Sequence, residues 1–129
     1  MSPTYAEDIK PDLLRCKLSF AFSGRSAPNR LLKSSIGERM ASFSQSDIGS
    51  RGIPSVALVN IYKQWGKDNI GVIITGNIMI DGDHLVSAGD AVIPRDAPFS
   101  GLRFDRFSGM AREAKRHGSL VIAQLCHPG

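Results

Sequence analysis

The polar residues that could do chemistry stand at the ends of two apolar runs. Thr75-Gly76-Asn77 follows the run 70–74, and Gln124 lies near the end of the run 120–125. A buried glutamine must have its amide hydrogen-bonded. A ligand with a matching donor-acceptor edge would satisfy the amide, and so would a neighbouring backbone group. The residues alone leave both interpretations of Gln124 open.

Other reactive side chains fall into no familiar catalytic pattern. Ser34 and Ser35 have no base close in sequence that would make either a nucleophile, and phosphate-loop, Gly-x-Gly-x-x-Gly and paired-carboxylate motifs are absent. His127 adjoins Cys126, but adjacent residues of a strand point to opposite faces, so the two make a poor metal pair. No metal site is predicted. The remaining histidines are expected to be structural or solvated: His84 and His117.

Composition narrows the class of protein. The chain has 129 residues and a net charge of +4, which suits one globular domain with a real core. Basic and aromatic residues are not interleaved as in nucleic-acid-binding proteins, so no nucleic-acid partner is predicted. No stretch is long enough to span a membrane, and the N-terminus lacks the pattern of a secretory signal. Cys16 and Cys126 therefore indicate reduced thiols in a cytoplasmic protein.

The spacing of apolar residues predicts strands that alternate with helices. A hairpin and a first strand precede a Ser- and Gly-rich loop expected to be mobile, and two helix–strand pairs follow. The predicted order is hairpin 17–28, strand 31–36, loop 41–52, helix 55–65, strand 70–74, loop 83–97, helix 101–117 and strand 120–125. Alternation of this kind favours a parallel sheet with right-handed crossovers. Each of the three strands outside the hairpin is predicted to be buried on both faces.

Both helices carry their own start and stop signals. Ser55 is predicted to cap the first helix and Gly66 to end it, while Gly118 closes the second. The first helix should bury one stripe of side chains, namely Leu58, Tyr62 and Trp65. The second should bury Phe104, Phe107, Met110, Ala111 and Ala114. Two helices cannot cover both faces of three strands, so the sequence is typical of the opening of a larger α/β domain.

Three segments together resemble the start of the Old Yellow Enzyme family. They are Asn29-Arg-Leu-Leu-Lys-Ser34, Gly71-Val-Ile-Ile-Thr-Gly76 and Gln124-Leu-Cys-His-Pro-Gly129, in the family's order and spacing. The family consists of FMN-dependent NAD(P)H:flavin oxidoreductases and ene-reductases on a TIM barrel. The resemblance implies a polar lead-in over residues 1–16. Residues 17–129 would then form the N-terminal part of an FMN-binding TIM barrel, truncated after the third strand.

The resemblance also implies which residues bind FMN. The end of the first barrel strand would line the isoalloxazine ring near N5 and O4: Ser34, Ser35, Ile36 and Gly37. Asn77, with Gly76, matches the second strand's flavin contact, and Gln124 matches the glutamine that pairs with the pyrimidine edge. Gly37 stands where the family usually has Thr or Cys, and Arg39 lies near a substrate-side position.

By the same resemblance, the activity is hydride transfer from NAD(P)H through FMN to an activated alkene or similar small acceptor. A complete barrel takes about 250 residues. The substrate-binding His pair and the FMN phosphate site would therefore lie beyond Gly129, and no catalytic residue is expected within this chain, which alone should be inactive. Two alternatives stay open. One is a truncated, inactive derivative, and the other is a non-enzymatic protein that binds a partner, or itself, through its exposed sheet edge.

Overall fold

The structure, a computed structural model, describes residues 12–129. Most of the predicted lead-in, residues 1–11, lies outside that range. Its described part forms a short exposed helix, α1 (Asp12–Arg15). The carbonyl of Leu14 accepts a hydrogen bond from the backbone N–H of Arg30 at 2.9 Å. This contact ties the lead-in to the segment that enters the sheet.

The predicted hairpin is present. Strands β1 (Leu18–Phe20) and β2 (Arg25–Ala27) pair antiparallel. Gly24 supplies the turn conformation, with a φ of +66° that a side chain would disfavour. Alternation along the sequence would put Phe22 on the same face as Leu18 and Phe20, but Phe22 belongs to the turn and is fully exposed. The strand therefore ends two residues earlier than alternation predicts.

Four parallel strands follow, where three were predicted: β3 (Leu32–Lys33), β4 (Val72–Met79), β5 (Ala91–Val92) and β6 (Leu120–Cys126). Strand β4 is central. At its start β4 pairs with β3 and β6, and at its end with β5 and β6, so β3 and β5 share one edge. The predicted α/β class and parallel sheet are confirmed. The loop 83–97 contains the additional strand β5. This two-residue strand is recognised only by its pairing with β4.

Burial differs sharply between the central strand and its neighbours. Ile73 and Met79 of β4 are wholly inaccessible, as the β-branched run predicts. Strands β3 and β6 each have one strand neighbour among the described residues, and each leaves apolar side chains exposed. Leu32 is 57% exposed and Leu125 is 65% exposed. The prediction that these two strands are buried is wrong for the described residues. A hydrophobic run indicates that a strand favours burial, but it does not show that a second strand lies beside it.

Two crossover helices pack side by side and cover one side of β4: α2 (Val56–Lys67) and α3 (Gly101–Lys115). Their shared core consists of Leu58, Tyr62, Ile73, Met110 and Ala114. Ser55 caps α2 as predicted, since its Oγ accepts from the backbone N–H of Leu58 at 3.0 Å. Gly66 does not end the helix. It lies inside α2, and Asn69, with a φ of +56°, takes the left-handed position instead.

Helix α3 ends close to its predicted limit, and Gly118 follows with a φ of +96°. Its stripe is buried at Met110 and Ala114, whereas Phe104 is 39% exposed. The prediction of burial is therefore wrong at the N-terminal end of that stripe, where Phe104 packs edge-on against the ring of Phe99, which is itself exposed. In the part of the chain that the structure describes, no helix has the length and apolar character needed to cross a bilayer.

The Ser- and Gly-rich segment 41–52 lies on the surface, as predicted. It was expected to be mobile, but arginine side chains hold its backbone by hydrogen bonds. The guanidinium of Arg51 donates to the carbonyls of Ser44 and Gly82. Arg103 on α3 donates to the carbonyl of Arg51 at 2.9 Å and to that of Val92 at 2.7 Å. These bonds hold the segment against β5 and α3.

Candidate functional site

Asn77 and Gln124 lie side by side at the ends of β4 and β6. They are partners in the parallel register, and Gln124 Nε2 donates to Asn77 Oδ1 at 2.9 Å. Both side chains are half-buried. Sequence reasoning left the partner of Gln124 open between a ligand and a backbone group. The structure provides a side-chain amide, which uses one of the two N–H groups of Gln124.

A β-bulge in β4 brings these two amides together. The pairing runs from Ile74 opposite Ile122 to Asn77 opposite Gln124, so two residues of β4 face one residue of β6. Such a bulge shifts the following side chain to the other face. Thr75 Oγ1 fills the gap in the ladder by accepting from the backbone N–H of Gln124 at 2.9 Å. The bulge therefore decides that Asn77 and Gln124 share a face.

The segment Ser34–Gly37 continues β3 past its last ladder pair. Ser35 is half-buried, and the other three residues are exposed. The carbonyl of Ile36 lies against Gly76, so closely that a Cβ on Gly76 would overlap it. The structure thus brings this segment beside the bulge that carries Asn77. Gly37 has no positive φ, and a Cβ built there would meet no heavy atom of residues 12–129 within 4 Å.

Arg39 contacts a different loop through its backbone. It has a φ of +53°, and its carbonyl lies against Gly89 in the loop before β5. Its side chain is exposed. The structure therefore groups Ser34–Gly37 with Asn77 and Gln124 through the bulge, and leaves Arg39 at the margin of that group.

A buried polar network behind the bulge was missed by sequence reasoning. Glu38 Oε1 accepts from Tyr62 Oη at 2.6 Å, from the backbone N–H of Gly76 at 3.2 Å and from Lys33 Nζ at 3.4 Å. Lys33 also donates to the carbonyl of Ile74 at 2.9 Å and lies over the Trp65 ring. The signal that could have revealed it is Lys33 itself. A lysine inside a strand predicted to be buried needs a charged partner.

The network perturbs proton affinities in opposite directions. Burial, helped by the hydrogen bond to Glu38, raises the pKa of Tyr62 well above its ordinary value. Burial lowers the pKa of Lys33, and the neighbouring Glu38 carboxylate opposes that change. Each shift follows from the cost of holding a charge away from water. At neutral pH, Tyr62 is therefore a neutral hydroxyl that donates to the carboxylate.

A second polar group lies at the carboxyl ends of β4 and β6. His84 Nδ1 is 2.8 Å from Asp81 Oδ2, and the His84 and His127 ring centroids are 5.3 Å apart. The backbone N–H of Asp83 and the ring of His84 lower the pKa of Asp81. One ligand atom from each of Asp81, His84 and His127 lies within 4.8 Å of the others. His127 thus neighbours an imidazole and a carboxylate, not only Cys126, and the absence of a metal site stays a prediction.

Asp81 and His127 of this group line an open cavity of about 750 Å³ at the same ends of the strands. Its lining combines apolar and charged residues: Ile80, Asp81, Ile93, Pro94, Arg95, Asp96, Leu125 and His127. The carboxyl ends of parallel strands are where α/β folds bind their ligands. The cavity and the amide pair together make this end of the sheet the candidate site.

Curated proteins with similar sequences are flavin oxidoreductases. The chain is 48% identical over 121 residues to the NADH-dependent flavin oxidoreductase nadA of Aspergillus parasiticus, covering 94% of the chain and 27% of the relative. It is 34% identical over 119 residues to the NADH-dependent flavin oxidoreductase iliE of Hypocrea jecorina, covering 92% and 26%. No family model matches. The chain spans about a quarter of the length of these relatives.

Solved structures with the same fold are Old Yellow Enzymes and related reductases. The Old Yellow Enzyme of Trypanosoma cruzi matches with a TM-score of 0.69 at 18% identity, covering 92% of the chain and 28% of that structure. The homologue from Zymomonas mobilis matches with a TM-score of 0.69 at 20% identity, covering 90% and 28%. At such identities the likeness establishes the fold. In sequence the chain is similar to a part of NADH-dependent flavin oxidoreductases, and in fold it is similar to the N-terminal part of Old Yellow Enzyme structures.

Proposed function

We propose that this chain forms one side of the FMN site in an NAD(P)H-dependent oxidoreductase that reduces an activated alkene or a similar small acceptor. The observation that carries the proposal is the pair of amides, Asn77 and Gln124, held at the ends of neighbouring parallel strands. The similarity to flavin oxidoreductases over 94% of the chain supports the class of reaction.

The donor and acceptor set of this site fits a flavin. Gln124 keeps a carbonyl oxygen and one N–H that no described residue uses, and Asn77 keeps its own NH₂ group. The pyrimidine edge of FMN alternates acceptors with an N–H donor, which a carboxamide reads with two hydrogen bonds. We assign this edge to Gln124, with Asn77 orienting the glutamine amide.

We assign the ring near N5 and O4 to the backbone that follows β3. Four residues form this segment: Ser34, Ser35, Ile36 and Gly37. Gly37 carries no side chain and stands in open space, so a planar ring can approach its backbone closely. Without a hydroxyl or thiol there, O4 would meet backbone groups alone. Arg39, exposed at the margin of the site, would face the substrate.

When bound, FMN supplies the hydride chemistry, accepting from NAD(P)H and delivering to the acceptor. The residues of this chain bind and orient the ring and exclude water from one side of it. None of them is assigned a catalytic role. We further propose that residues 17–129 are the barrel part and residues 1–16 a lead-in, that the protein is cytoplasmic, and that the 129-residue segment alone does not turn over substrate.

Flavin content is the direct test. The natural protein that carries this sequence is purified, its colour recorded, and any extracted flavin identified as FMN or FAD. Stoichiometric FMN, together with NADH or NADPH oxidation that depends on an added enone, is the expected result. A colourless protein that binds no added FMN would overturn the proposal. If such a protein self-associates through β3 or β6, the exposed-edge alternative is favoured instead.

The segment alone provides a second measurement. Residues 1–129, expressed separately and given excess FMN, should reduce an enone with NADPH no faster than free flavin does. Turnover clearly above that of free flavin would place catalytic groups within the segment. His127 is the first candidate because it lines the cavity, and His84 is the second because its ring lies beside that of His127.

A further inference from the structure

We infer that Glu38 is a positioning residue whose carboxylate fixes the segment Ser34–Gly37 against the bulge of β4 and so sets the geometry of the flavin site. The inference rests on the proposed function, because the segment and the bulge carry the residues assigned to FMN. It adds a residue that neither the sequence patterns nor the relatives' names point to.

One carboxylate oxygen joins three elements of the fold. Glu38 Oε1 accepts from Lys33 on β3, from Tyr62 on α2 and from the backbone N–H of Gly76 on β4. The side chains of Glu38 and Lys33 are each 9% exposed. A carboxylate so far from water is stable only because charged and polar donors surround it.

A gap in the sheet creates the need for this carboxylate. The N–H of Gly76 points away from β6, to the side of β4 where β3 pairs only as far as Ile73 and β5 only from Ile78, and it donates to Glu38 Oε1 and to Tyr62 Oη, 3.0 Å away. A buried N–H without a partner destabilises a fold by about 1–3 kcal/mol. The carboxyl group occupies the space that a side chain at residue 76 would fill, since a Cβ there would overlap Glu38 Oε2. Gly76 and Glu38 are therefore complementary.

The same contacts hold the flavin-facing segment at both of its ends. Lys33, just before the segment, donates to the carbonyl of Ile74 at 2.9 Å. Glu38, just after it, holds the N–H of Gly76. Ser34–Gly37 thus spans between two anchors on one strand, β4, which also carries Asn77. Removing the second anchor releases the end of the segment at Gly37 while leaving the first in place.

A role confined to stability would be filled better by other residues. Replacing a buried ion pair with apolar side chains of similar volume is often neutral or stabilising. A carboxylate retained here instead fixes direction, because its oxygen fits only one arrangement of the three donors. The distinction can be measured, since a positioning residue changes FMN affinity in folded protein and a purely stabilising residue changes only the melting temperature.

The test compares FMN dissociation constants of the natural protein with those of Glu38→Leu, Glu38→Gln and Tyr62→Phe, all well below their melting temperatures. Glu113→Gln is the matched control, because Glu113 forms an i,i+3 pair with Arg116 on the surface of α3. Glu38→Leu should weaken FMN binding by roughly tenfold, in keeping with the loss of a charge-assisted hydrogen bond. Glu38→Gln keeps an acceptor oxygen and should recover most of that loss, and Glu113→Gln should change nothing.

Each outcome separates the inference from the function beneath it. A wild-type protein that binds no FMN overturns the proposed function. A wild-type protein that binds FMN, with variants that melt earlier but bind equally well, overturns the role of Glu38 alone. Should Glu38→Leu fail to fold, Tyr62→Phe decides. It removes one donor to the carboxylate and should weaken binding by a few-fold, and unchanged affinity in that variant contradicts the inference.

Discussion

Replacing Gln124 with leucine separates the two partners that its amide could serve. Leucine keeps much of the volume and leaves the backbone N–H of Gln124 bonded to Thr75 Oγ1. Without flavin, the variant loses one half-buried hydrogen bond, from Gln124 to Asn77, which contributes about 0.5–1.5 kcal/mol net. With FMN bound, the proposed pairing loses two hydrogen bonds at the pyrimidine edge. The resulting loss of about 1–3 kcal/mol weakens FMN binding by about 5- to 150-fold.

The assay is titration of flavin-free protein with FMN, followed by quenching of flavin fluorescence. Gln64→Leu is the matched control, because Gln64 is an exposed residue of α2 whose amide donates to Asn60 on the same helix. The control should bind FMN as wild type does. If Gln124→Leu lowers the melting temperature but leaves the FMN dissociation constant within twofold of wild type, Gln124 serves Asn77 and not the flavin.

Three further substitutions test other parts of the structure. Gly37→Thr should fold, because the φ of Gly37 is not positive and the space around it is open. The added hydroxyl beside O4 should raise the flavin reduction potential. A variant that retains FMN with an unchanged potential would contradict the alignment of residues 29–39 with the family's first barrel strand. The raised pKa of Tyr62 means that the unfolded chain loses the tyrosine proton first, so the free energy of unfolding of the wild type should fall above about pH 10. Tyr62→Phe should abolish this fall, as measured by urea unfolding from pH 8 to 11. An identical dependence of stability on pH in both proteins would refute this. Gly66→Ala should destabilise the fold by roughly 1–3 kcal/mol, because a Cβ at residue 66 would lie 2.7 Å from the Ala114 carbonyl oxygen. Gly109→Ala should be tolerated, because a Cβ there would have its nearest neighbour at 3.9 Å. Equal melting temperatures of the two variants would contradict the close packing of α2 on α3.

Sequence patterns correctly predicted the elements that depend on interactions between residues close in sequence. The β-branched run at 70–74 marks the buried strand β4, and the helical spacing of Leu58 and Tyr62 marks the buried face of α2. Ser55 caps its helix because capping depends on one side chain and the N–H three residues on. Strand β5 was not predicted, since two residues carry no period and the strand exists only through pairing with β4.

Burial and helix ends failed where distant groups decide them. Gly66 has the residue type of a helix stop, yet its lack of a side chain serves the close approach of α3. The run at 120–125 is as apolar as β4, yet β6 is half-exposed because it has one strand neighbour in the described chain. Sequence patterns indicate which environments a residue can occupy, and its tertiary neighbours determine which of these environments it has in the fold.

The candidate site shows the same division. Asn77 and Gln124 were assigned by resemblance, and their pairing across β4 and β6 is a fact of register that neither residue reveals alone. Glu38 went unnoticed because a charged residue next to a strand end is ordinary on a surface. Its burial depends on the space left by Gly76, thirty-eight residues away in sequence.

One extra residue in β4 explains the amide half of the site. Side chains alternate along a strand, so without the bulge Asn77 would face away from Gln124. The N–H of Gly76 points the other way, into the gap between β3 and β5 on the opposite side of β4, where Glu38 accepts from it. The amide pair that we assign to flavin recognition and the carboxylate that we assign to positioning therefore meet β4 at adjacent residues, Asn77 and Gly76. This is why a buried ion pair lies directly behind the proposed ligand-facing amides.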